Sequence, residues 1–265
     1  MNQTSESIVW ESRGPLRVLT FNRPEQRNSL PPAGWIELAR MLDELNADAD
    51  ARVLVLRGAG ERAFSTGYDI NALQELEQQG IVLSTPEDPF EIALAALLRC
   101  HVPTIAMVRG YAVGGGCTFA VGCDLRIAGK GARFGMPPAK LGLVYSLSEL
   151  RPFVELIGHA RTKMMFYSGR IFDSAQSQAL GLVEQVVEDA ELEEYTFSLA
   201  EEIAANAPRS VQGTKRLLRL LSDADVHHER RREARSVILA TNTGRDLQEG
   251  IRAFVEKRKP EFTGQ

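Results

Sequence analysis

The chain has 265 residues, of which 44% are hydrophobic and 25% are charged, proportions that allow a sizeable core. Its 31 basic and 35 acidic residues give a net charge of −4, so a general affinity for nucleic acid is not expected. There is no apolar leader, no apolar stretch of membrane length and no metal-type spacing among the three cysteines. We therefore expect a cytoplasmic protein that binds no membrane and no metal.

The first sixty residues predict strands that alternate with a helix. Residues 8–11 and 17–21 are strand-like runs on either side of a polar turn, which predicts a hairpin. Residues 31–46 carry apolar side chains at helical spacing and predict an amphipathic helix. Residues 53–56 read Val-Leu-Val-Leu, a run typical of a strand that is buried on both faces.

The pattern of elements changes at about residue 190. Strand-like runs at 104–108 and 125–128 alternate with helical segments, so residues 1–190 predict an α/β core. Residues 74–91 are polar, contain Gly and Pro, and predict a mobile loop. Residues 191–265 predict a helical C-terminal region. Its segments with amphipathic helical spacing are 191–205, 210–221, 226–241 and 245–257.

Three consecutive glycines at 114–116 are the most informative feature of the sequence. They follow a strand-like run and lead into the apolar segment 118–122. Glycine has no side chain, so a ligand atom can approach the peptide N–H groups closely. If a helix begins here, these N–H groups also lie at its positive end and can stabilise a negative oxygen.

A second loop, residues 63–70, can contribute to the same site. Gly67 permits a tight turn, so that the backbone N–H of Tyr68 can point into a pocket. Two N–H groups from separate loops would make an oxyanion hole.

A dinucleotide site is the competing interpretation of this region. Residues 58–63 follow a predicted strand and match the loose fingerprint G-x-G-x-x-A. That interpretation needs a helix to begin here and a carboxylate roughly 20 residues later, and residues 78–84 contain none. A serine nucleophile elbow is excluded because no G-x-S-x-G is present.

The motifs and their order resemble the crotonase (enoyl-CoA hydratase/isomerase) superfamily over nearly the whole chain. The resemblance implies an α/β fold, a crotonase-like spiral of ββα units followed by a helical region used in assembly. It also implies a homotrimer or a dimer of trimers. The matching segments are 22–30, 63–70, 103–124, 132–142 and 249–260.

The resemblance implies an acyl-CoA thioester as substrate, with coenzyme A as part of that substrate and no separate cofactor. By position, the two N–H groups of the family's oxyanion hole fall on Tyr68 and Gly115. Phe254 and Lys257 match C-terminal residues that can reach the CoA of a neighbouring subunit. The other residues implied along the CoA moiety are Arg27, Ala63, Thr66, Asp69 and Ile70.

Two departures from the family pattern bear on the reaction. A hydratase of this family uses two glutamates as general acid and base, and this chain has Thr118 and Pro138 at their positions. Both remain candidates for lining the substrate pocket, but neither supplies a base at neutral pH. Losing one positioned acid or base typically lowers a rate by about 10² to 10⁴, so ordinary hydration is not expected as the main activity.

Decarboxylation of a malonyl-type thioester needs no base to start, because carbon dioxide leaves and the electrons enter the thioester as an enolate. Residues 138–146 resemble a loop of the methylmalonyl-CoA decarboxylases in the same superfamily, and Tyr145 matches a tyrosine that points at their substrate. Tyr145 can also be a packing residue. That subgroup has histidine where Tyr68 stands.

Two alternatives remain open. An enoyl-CoA isomerase or weak hydratase could use Glu149 as its base, although Glu149 also fits a carboxylate in the first turn of a helix that Ser146 caps. A non-catalytic acyl-CoA-binding protein would keep the thioester site and lose the chemistry.

Overall fold

Two β-sheets and the helices around them are built from the residues that the computed structural model describes: 3–4, 7–222 and 242–261, with 235 and 239. The strands are β1 (Gln3–Thr4), β2 (Ile8–Arg13), β3 (Leu16–Phe21), β4 (Val53–Gly58), β5 (Ala63–Ser65), β6 (Thr104–Val108), β7 (Tyr111–Val113), β8 (Leu125–Gly129), β9 (Arg133–Gly135), β10 (Ile171–Asp173) and β11 (Gln185–Val187). The helices are α1 (Pro32–Leu45), α2 (Leu73–Gln78), α3 (Pro89–Arg99), α4 (Gly115–Gly122), α5 (Pro138–Leu141), α6 (Leu147–Ser168), α7 (Ser174–Leu180), α8 (Leu192–Ala205), α9 (Pro208–Ser222) and α10 (Arg245–Val255).

The larger sheet has the strand order β1-β2-β3-β4-β6-β8-β11, and the smaller sheet has the order β10-β9-β7-β5. Strands β2 and β3 pair antiparallel with Ile8 opposite Phe21, which confirms the predicted hairpin. From β3 onward, neighbouring strands of the larger sheet are parallel. Parallel neighbours need crossover connections, and the helices supply part of them.

The repeating unit is a pair of strands followed by helix. In each of the pairs β4/β5, β6/β7 and β8/β9, the first strand joins the larger sheet and the second joins the smaller one. This repetition confirms the predicted α/β spiral of ββα units. Because β5 and β7 are parallel neighbours, with Ala63 opposite Tyr111 and Ser65 opposite Ala112, their carboxyl ends lie side by side. The loops that leave these two strands therefore meet.

Strand β4 is buried on both faces, as its sequence predicts. Leu54 and Leu56 belong to the main core, which also contains Trp35 of α1. Val53 and Val55 face the other way, into a second core that α8 covers. Burial of apolar surface on both sides explains why this strand lacks the alternation of a half-exposed one.

The C-terminal residues from Asn242 onward pack against α5 and the segments beside it. A β-carbon added at Gly250 of α10 would overlap the carbonyl oxygen of Leu141, so α10 lies directly on α5. The Asn242 side chain donates to the carbonyl of Leu83 at 2.8 Å and accepts from the N–H of Val144 at 3.1 Å. The helix predicted over 226–241 lies outside the described residues, apart from 235 and 239.

The segment 74–91 is a loop only in part, because α2 ends at Gln78 and α3 begins at Pro89, and Asp88 and Phe90 are each 2% exposed. The reason is that Asp88 caps α3 and Phe90 packs edge-on against Trp35 at 4.8 Å between ring centroids. The dinucleotide interpretation fails, because the strand β5 begins at Ala63 where the fingerprint requires a helix.

All three cysteines, Cys100, Cys117 and Cys123, are buried free thiols. The described part of the chain contains no group of three or more His, Cys, Asp or Glu side chains arranged to hold a metal ion. Within the same residues, no helix has both the length and the apolar character needed to cross a membrane.

Candidate active site

A cavity of about 690 Å³ lies where the loops after β5 and β7 meet. Its wall is formed by the turn before α1, the loop after β5, the start of α4, the segment from β9 into α6, and residues of the C-terminal region. The predicted site residues in this wall are Arg27, Thr66, Tyr68, Asp69, Ile70, Gly115, Pro138, Tyr145 and Phe254. The structure therefore brings together most of the residues that the sequence singled out.

The backbone of Tyr68 is turned toward α4 by a parallel bridge to Leu30. In this bridge the N–H of Leu30 donates to Gly67 O and the N–H of Asp69 donates to Leu30 O, both at 2.9 Å. The pattern of a parallel bridge leaves the N–H of Tyr68 on the opposite side. No described residue accepts a backbone hydrogen bond from it. A β-carbon added at Gly67 would lie 2.7 Å from the amide nitrogen of Gly115, so the two segments are in contact.

The glycines at 114–116 are needed for the turn from β7 into α4. Gly114 has φ +57° and ψ −129°, a conformation open only to glycine. A β-carbon at Gly116 would overlap the carbonyl oxygen of Ser65. Gly115 is the first residue of α4, and its N–H has no backbone partner among the described residues. Two amides without a backbone partner among the described residues, at Tyr68 and Gly115, therefore lie in touching segments of the cavity wall, as the predicted oxyanion hole requires.

The Tyr68 side chain is fixed by Asp88. Its hydroxyl donates to Asp88 Oδ1 and accepts from the N–H of Phe90 at 3.0 Å. Asp88 also accepts from the N–H of Ser84 at 2.7 Å and from that of Phe90 at 2.9 Å. Burial, opposed by these hydrogen bonds, raises the pKa of Asp88 to about 6. Burial also raises the pKa of Tyr68 above its usual value, so the phenol remains protonated and donates.

The Tyr145 hydroxyl is an unpaired polar group in the cavity wall. The residue is 8% exposed, and its hydroxyl lies 3.6 Å from where a β-carbon of Gly114 would stand. No described residue forms a hydrogen bond with this hydroxyl. Burial, followed by the charge of Glu149, raises the pKa of Tyr145 well above its usual value. A neutral phenol therefore faces the place where a ligand oxygen would lie beside the Gly115 amide.

Glu149 caps a helix and lines the cavity at the same time, so both predicted placements hold. The N–H of Ser146 donates to Glu149 Oε2 at 2.7 Å, and the N–H of Glu149 donates to Ser146 Oγ at 3.1 Å. This capping box begins α6 and confirms Ser146 as its N-cap. Glu149 is 3% exposed, and burial, followed by the charge of Glu91, raises its pKa well above the usual value.

Cationic and apolar residues mark the outer part of the cavity. Arg27, Lys140 and Arg258 all contribute to the lining. Arg27 adopts φ +53° next to Asn28, whose buried side chain donates to the carbonyls of Ala59 and Ala63 at 3.0 and 2.7 Å. Hydrogen bonds from this buried amide hold the turn that presents Arg27.

Three predicted site residues lie outside the cavity wall of the described chain. Ala63 is buried in β5, and Lys257 follows α10 on the surface. Thr118 is fully buried, and its hydroxyl donates to the carbonyl of Gly114 at 3.3 Å instead of facing a ligand. Phe254 lines the cavity of its own chain, whereas the resemblance implied contact with a neighbouring subunit's CoA.

Asp88 and Ser84 are cavity residues that the sequence analysis placed in a loop. The missed signal was Asp88-Pro89 before a run with helical spacing, because Asp is a favoured N-cap and Pro a favoured first helical residue.

Pro138, at a position where hydratases carry a glutamate, begins α5 and presents only apolar atoms. The ionisable side chains at the inner end are therefore Asp88, Tyr145 and Glu149.

The chain is similar to characterised proteins along its whole length. A sequence model of the family described as enoyl-CoA hydratase/isomerase matches residues 11–265. A putative enoyl-CoA hydratase of Thermus thermophilus is 36% identical, over 96% of this chain and 100% of the relative. The (E)-benzylidenesuccinyl-CoA hydratase of Thauera aromatica is also 36% identical, over 97% of this chain and 99% of the relative.

The fold is similar to that of a solved methylmalonyl-CoA decarboxylase in complex with 2-nitronate-propionyl-CoA. The TM-score is 0.90 at 28% identity, and the likeness covers 99% of this chain and 100% of that one. The similarity thus extends over the entire fold and includes proteins with hydratase and decarboxylase names.

Replacing Asp88 by Asn should change stability in a pH-dependent way. A carboxyl whose pKa is higher in the folded state stabilises the fold at low pH, and this stabilisation is lost as the pH rises through about 6. Between pH 5 and pH 8, the wild type should therefore lose roughly 1–2 kcal/mol of unfolding free energy relative to the variant.

Urea unfolding of both proteins at the two pH values measures this difference. Asp43→Asn, at a 57% exposed side chain of α1, is the matched control. If the difference in unfolding free energy between wild type and Asp88→Asn is the same at both pH values, the raised pKa of Asp88 is contradicted.

Proposed function

The chain belongs to the enoyl-CoA hydratase/isomerase family, whose members act on acyl-CoA thioesters, and we propose that it decarboxylates a malonyl-type acyl-CoA. The thioester oxygen accepts hydrogen bonds from the backbone N–H groups of Tyr68 and Gly115. The bond from the α-carbon to the carboxylate breaks, carbon dioxide leaves, and the electron pair moves into the thioester as an enolate. The two amides stabilise the negative charge that develops on the enolate oxygen.

The Tyr145 hydroxyl is the observation that carries this proposal. It belongs to a residue that is 8% exposed, it has no hydrogen-bond partner among the described residues, and it lies beside the same glycine turn that supplies the Gly115 amide. A substrate carboxylate that accepts this hydrogen bond is oriented next to the oxyanion hole. Orientation of the breaking bond against the thioester π system is what the decarboxylation step requires.

The protonation of the site also favours decarboxylation over hydration. Hydration and isomerisation need an ionised base that is free to take a proton. Burial and the charge of Glu91 raise the pKa of Glu149, which disfavours its carboxylate form, and the oxygens of Asp88 already accept three hydrogen bonds. Loss of carbon dioxide generates the enolate without a base. The full-length similarity to a methylmalonyl-CoA decarboxylase supports the same choice.

The rest of the substrate fits the outer cavity. Arg27, Lys140 and Arg258 supply positive charge for the phosphates of CoA, and Ile70 and Phe254 supply apolar surface. In this proposal CoA enters only as part of the substrate, with no separate cofactor. The cytoplasmic chain assembles as a homotrimer or a dimer of trimers, as the resemblance implies.

Enoyl-CoA isomerisation with weak hydration is the second candidate. Glu149 and Asp88 line the cavity, and several similar proteins carry hydratase names. It requires Glu149 to lose its proton when substrate binds.

A substrate screen tests the proposed function. We expect release of carbon dioxide from malonyl-, methylmalonyl- or ethylmalonyl-CoA, and hydration of crotonyl-CoA that is slower by at least about 10², because both family glutamates are replaced. Mass spectrometry of the CoA products measures both reactions. Brisk hydration without carbon dioxide release would favour the second candidate, and binding without turnover would indicate a non-catalytic acyl-CoA-binding protein.

Tyr145→Phe should lower kcat/KM for decarboxylation by about 10- to 100-fold, the effect of losing one hydrogen bond to a charged group. The melting temperature should stay the same or rise, because the hydroxyl has no protein partner to lose. Tyr167→Phe, at a 75% exposed side chain of α6, is the control. An unchanged rate for Tyr145→Phe would remove this residue from the mechanism.

Gly115→Pro should lower kcat by about 10²- to 10³-fold, because it deletes one donor of the oxyanion hole. Proline is tolerated as the first residue of a helix, and no internal hydrogen bond is lost. Gly115→Ala is the matched control. It adds the same β-carbon, 2.7 Å from Phe90 Cε2, but keeps the N–H. Equal kcat values for Gly115→Pro and Gly115→Ala would show that the Gly115 N–H does not bind the oxyanion.

A further inference from the structure

Asp88 and Glu149 line the cavity, Glu91 is bonded to the Ser146 hydroxyl behind them, and we call these three residues the carboxyl cluster. The three residues are 2%, 8% and 3% exposed. Among the described residues, no Lys or Arg forms an ion pair with any of them. Ionisation of all three in one buried volume is unfavourable unless a countercharge is present.

The surroundings of Glu149 favour its protonated form. Both oxygens of Glu91 lie within hydrogen-bond distance of serine hydroxyls, those of Ser146 and of Ser148, the latter at 2.5 Å. Asp88 accepts from Tyr68, Ser84 and Phe90. Glu149 accepts from the N–H of Ser146, and burial, followed by the neighbouring charge of Glu91, raises its pKa well above the usual value.

Glu149 also faces the ligand space, which Glu91 does not. Asp88 and Glu149 are both part of the cavity wall, but the oxygens of Asp88 are occupied by Tyr68, Ser84 and Phe90. An independent feature points to a ligand at this place. Tyr145, which is 8% exposed, lies in the same wall, and its hydroxyl has no hydrogen-bond partner among the described residues.

We propose that Glu149 is the general acid of this enzyme and delivers a proton to the α-carbon of the enolate. This inference rests on the proposed function, because the enolate is the product of carbon dioxide loss. The carboxyl O–H bond of Glu149 breaks, and the electron pair of the enolate forms the new bond between the α-carbon and hydrogen. The thioester carbonyl is restored, and the Glu149 carboxylate takes a new proton from solvent.

A fixed acid in the cavity wall delivers the proton to one face of the planar enolate. Solvent water that enters an open cavity would protonate either face. The configuration of the product therefore reports which group donates the proton, and a purely structural role for Glu149 would not change it.

The experiment is decarboxylation of methylmalonyl-CoA in D₂O, followed by determination of the configuration at the deuterated carbon of propionyl-CoA. The wild type should give mainly one configuration. Glu149→Gln should give a nearly equal mixture at a lower rate. Gln preserves the acceptor of the capping box, so the variant should fold. Glu155→Gln, at an exposed position of the same helix, makes the same chemical change and should retain the wild-type product.

A second measurement separates this inference from the proposed function. By microscopic reversibility, Glu149 that has given its proton to solvent removes an α-hydrogen from bound propionyl-CoA. The wild type should therefore exchange deuterium into this thioester, and faster as the pH rises, because only the carboxylate form removes the hydrogen. Glu149→Gln should lose this exchange by about 10²- to 10⁴-fold.

Exchange without carbon dioxide release would overturn the decarboxylase and support Glu149 as the acid. Carbon dioxide release with the same product configuration in wild type and Glu149→Gln would overturn the role of Glu149 and leave the decarboxylase standing. Absence of both reactions in the wild type would overturn both.

Discussion

The parallel pairing of β5 with β7 is the constraint on which the site depends. It brings the carboxyl ends of two strands side by side although they are far apart in sequence. The bridge between Leu30 and Tyr68 leaves the Tyr68 amide without a backbone partner among the described residues, and Gly115 follows the turn at Gly114 as the first residue of α4. These two amides are the donors of the proposed oxyanion hole, and the backbone that carries them is positioned by the fold.

Burial of acidic groups determines the chemistry that this hole can support. A site that must add water needs a free base, and water-exposed glutamates supply one. Here Asp88, Glu91 and Glu149 are buried, and burial raises the pKa of Asp88 to about 6 and that of Glu149 well above its usual value. A raised pKa favours the protonated form of a carboxyl, which is the form that donates a proton. The proposed reaction, loss of carbon dioxide followed by protonation, uses an acid and an oxyanion hole and starts without a base.

The sequence predicted most of the elements that form the core, because apolar periodicity and turn residues are local signals. The hairpin of β2 and β3, the doubly buried strand β4 and the Ser146 cap of α6 all lie where their patterns place them. The segment before α3 was predicted only in part, because polar side chains were taken as exposed. Asp88 is polar and buried, since it accepts from the nearby N–H groups of Ser84 and Phe90 and from the hydroxyl of Tyr68, twenty residues earlier in the chain.

The sequence by itself determined the family resemblance, the glycines of the oxyanion turn and the replacement of both hydratase glutamates by Thr118 and Pro138. These are properties of residue type and spacing, which need no coordinates. Only the tertiary structure decided that Thr118 faces away from the cavity, that the Tyr145 hydroxyl has no hydrogen-bond partner among the described residues, and that Glu149 lies near Asp88 and Glu91. The reason is that burial and protonation depend on contacts between segments that are distant in the sequence, and the sequence does not show which segments come into contact.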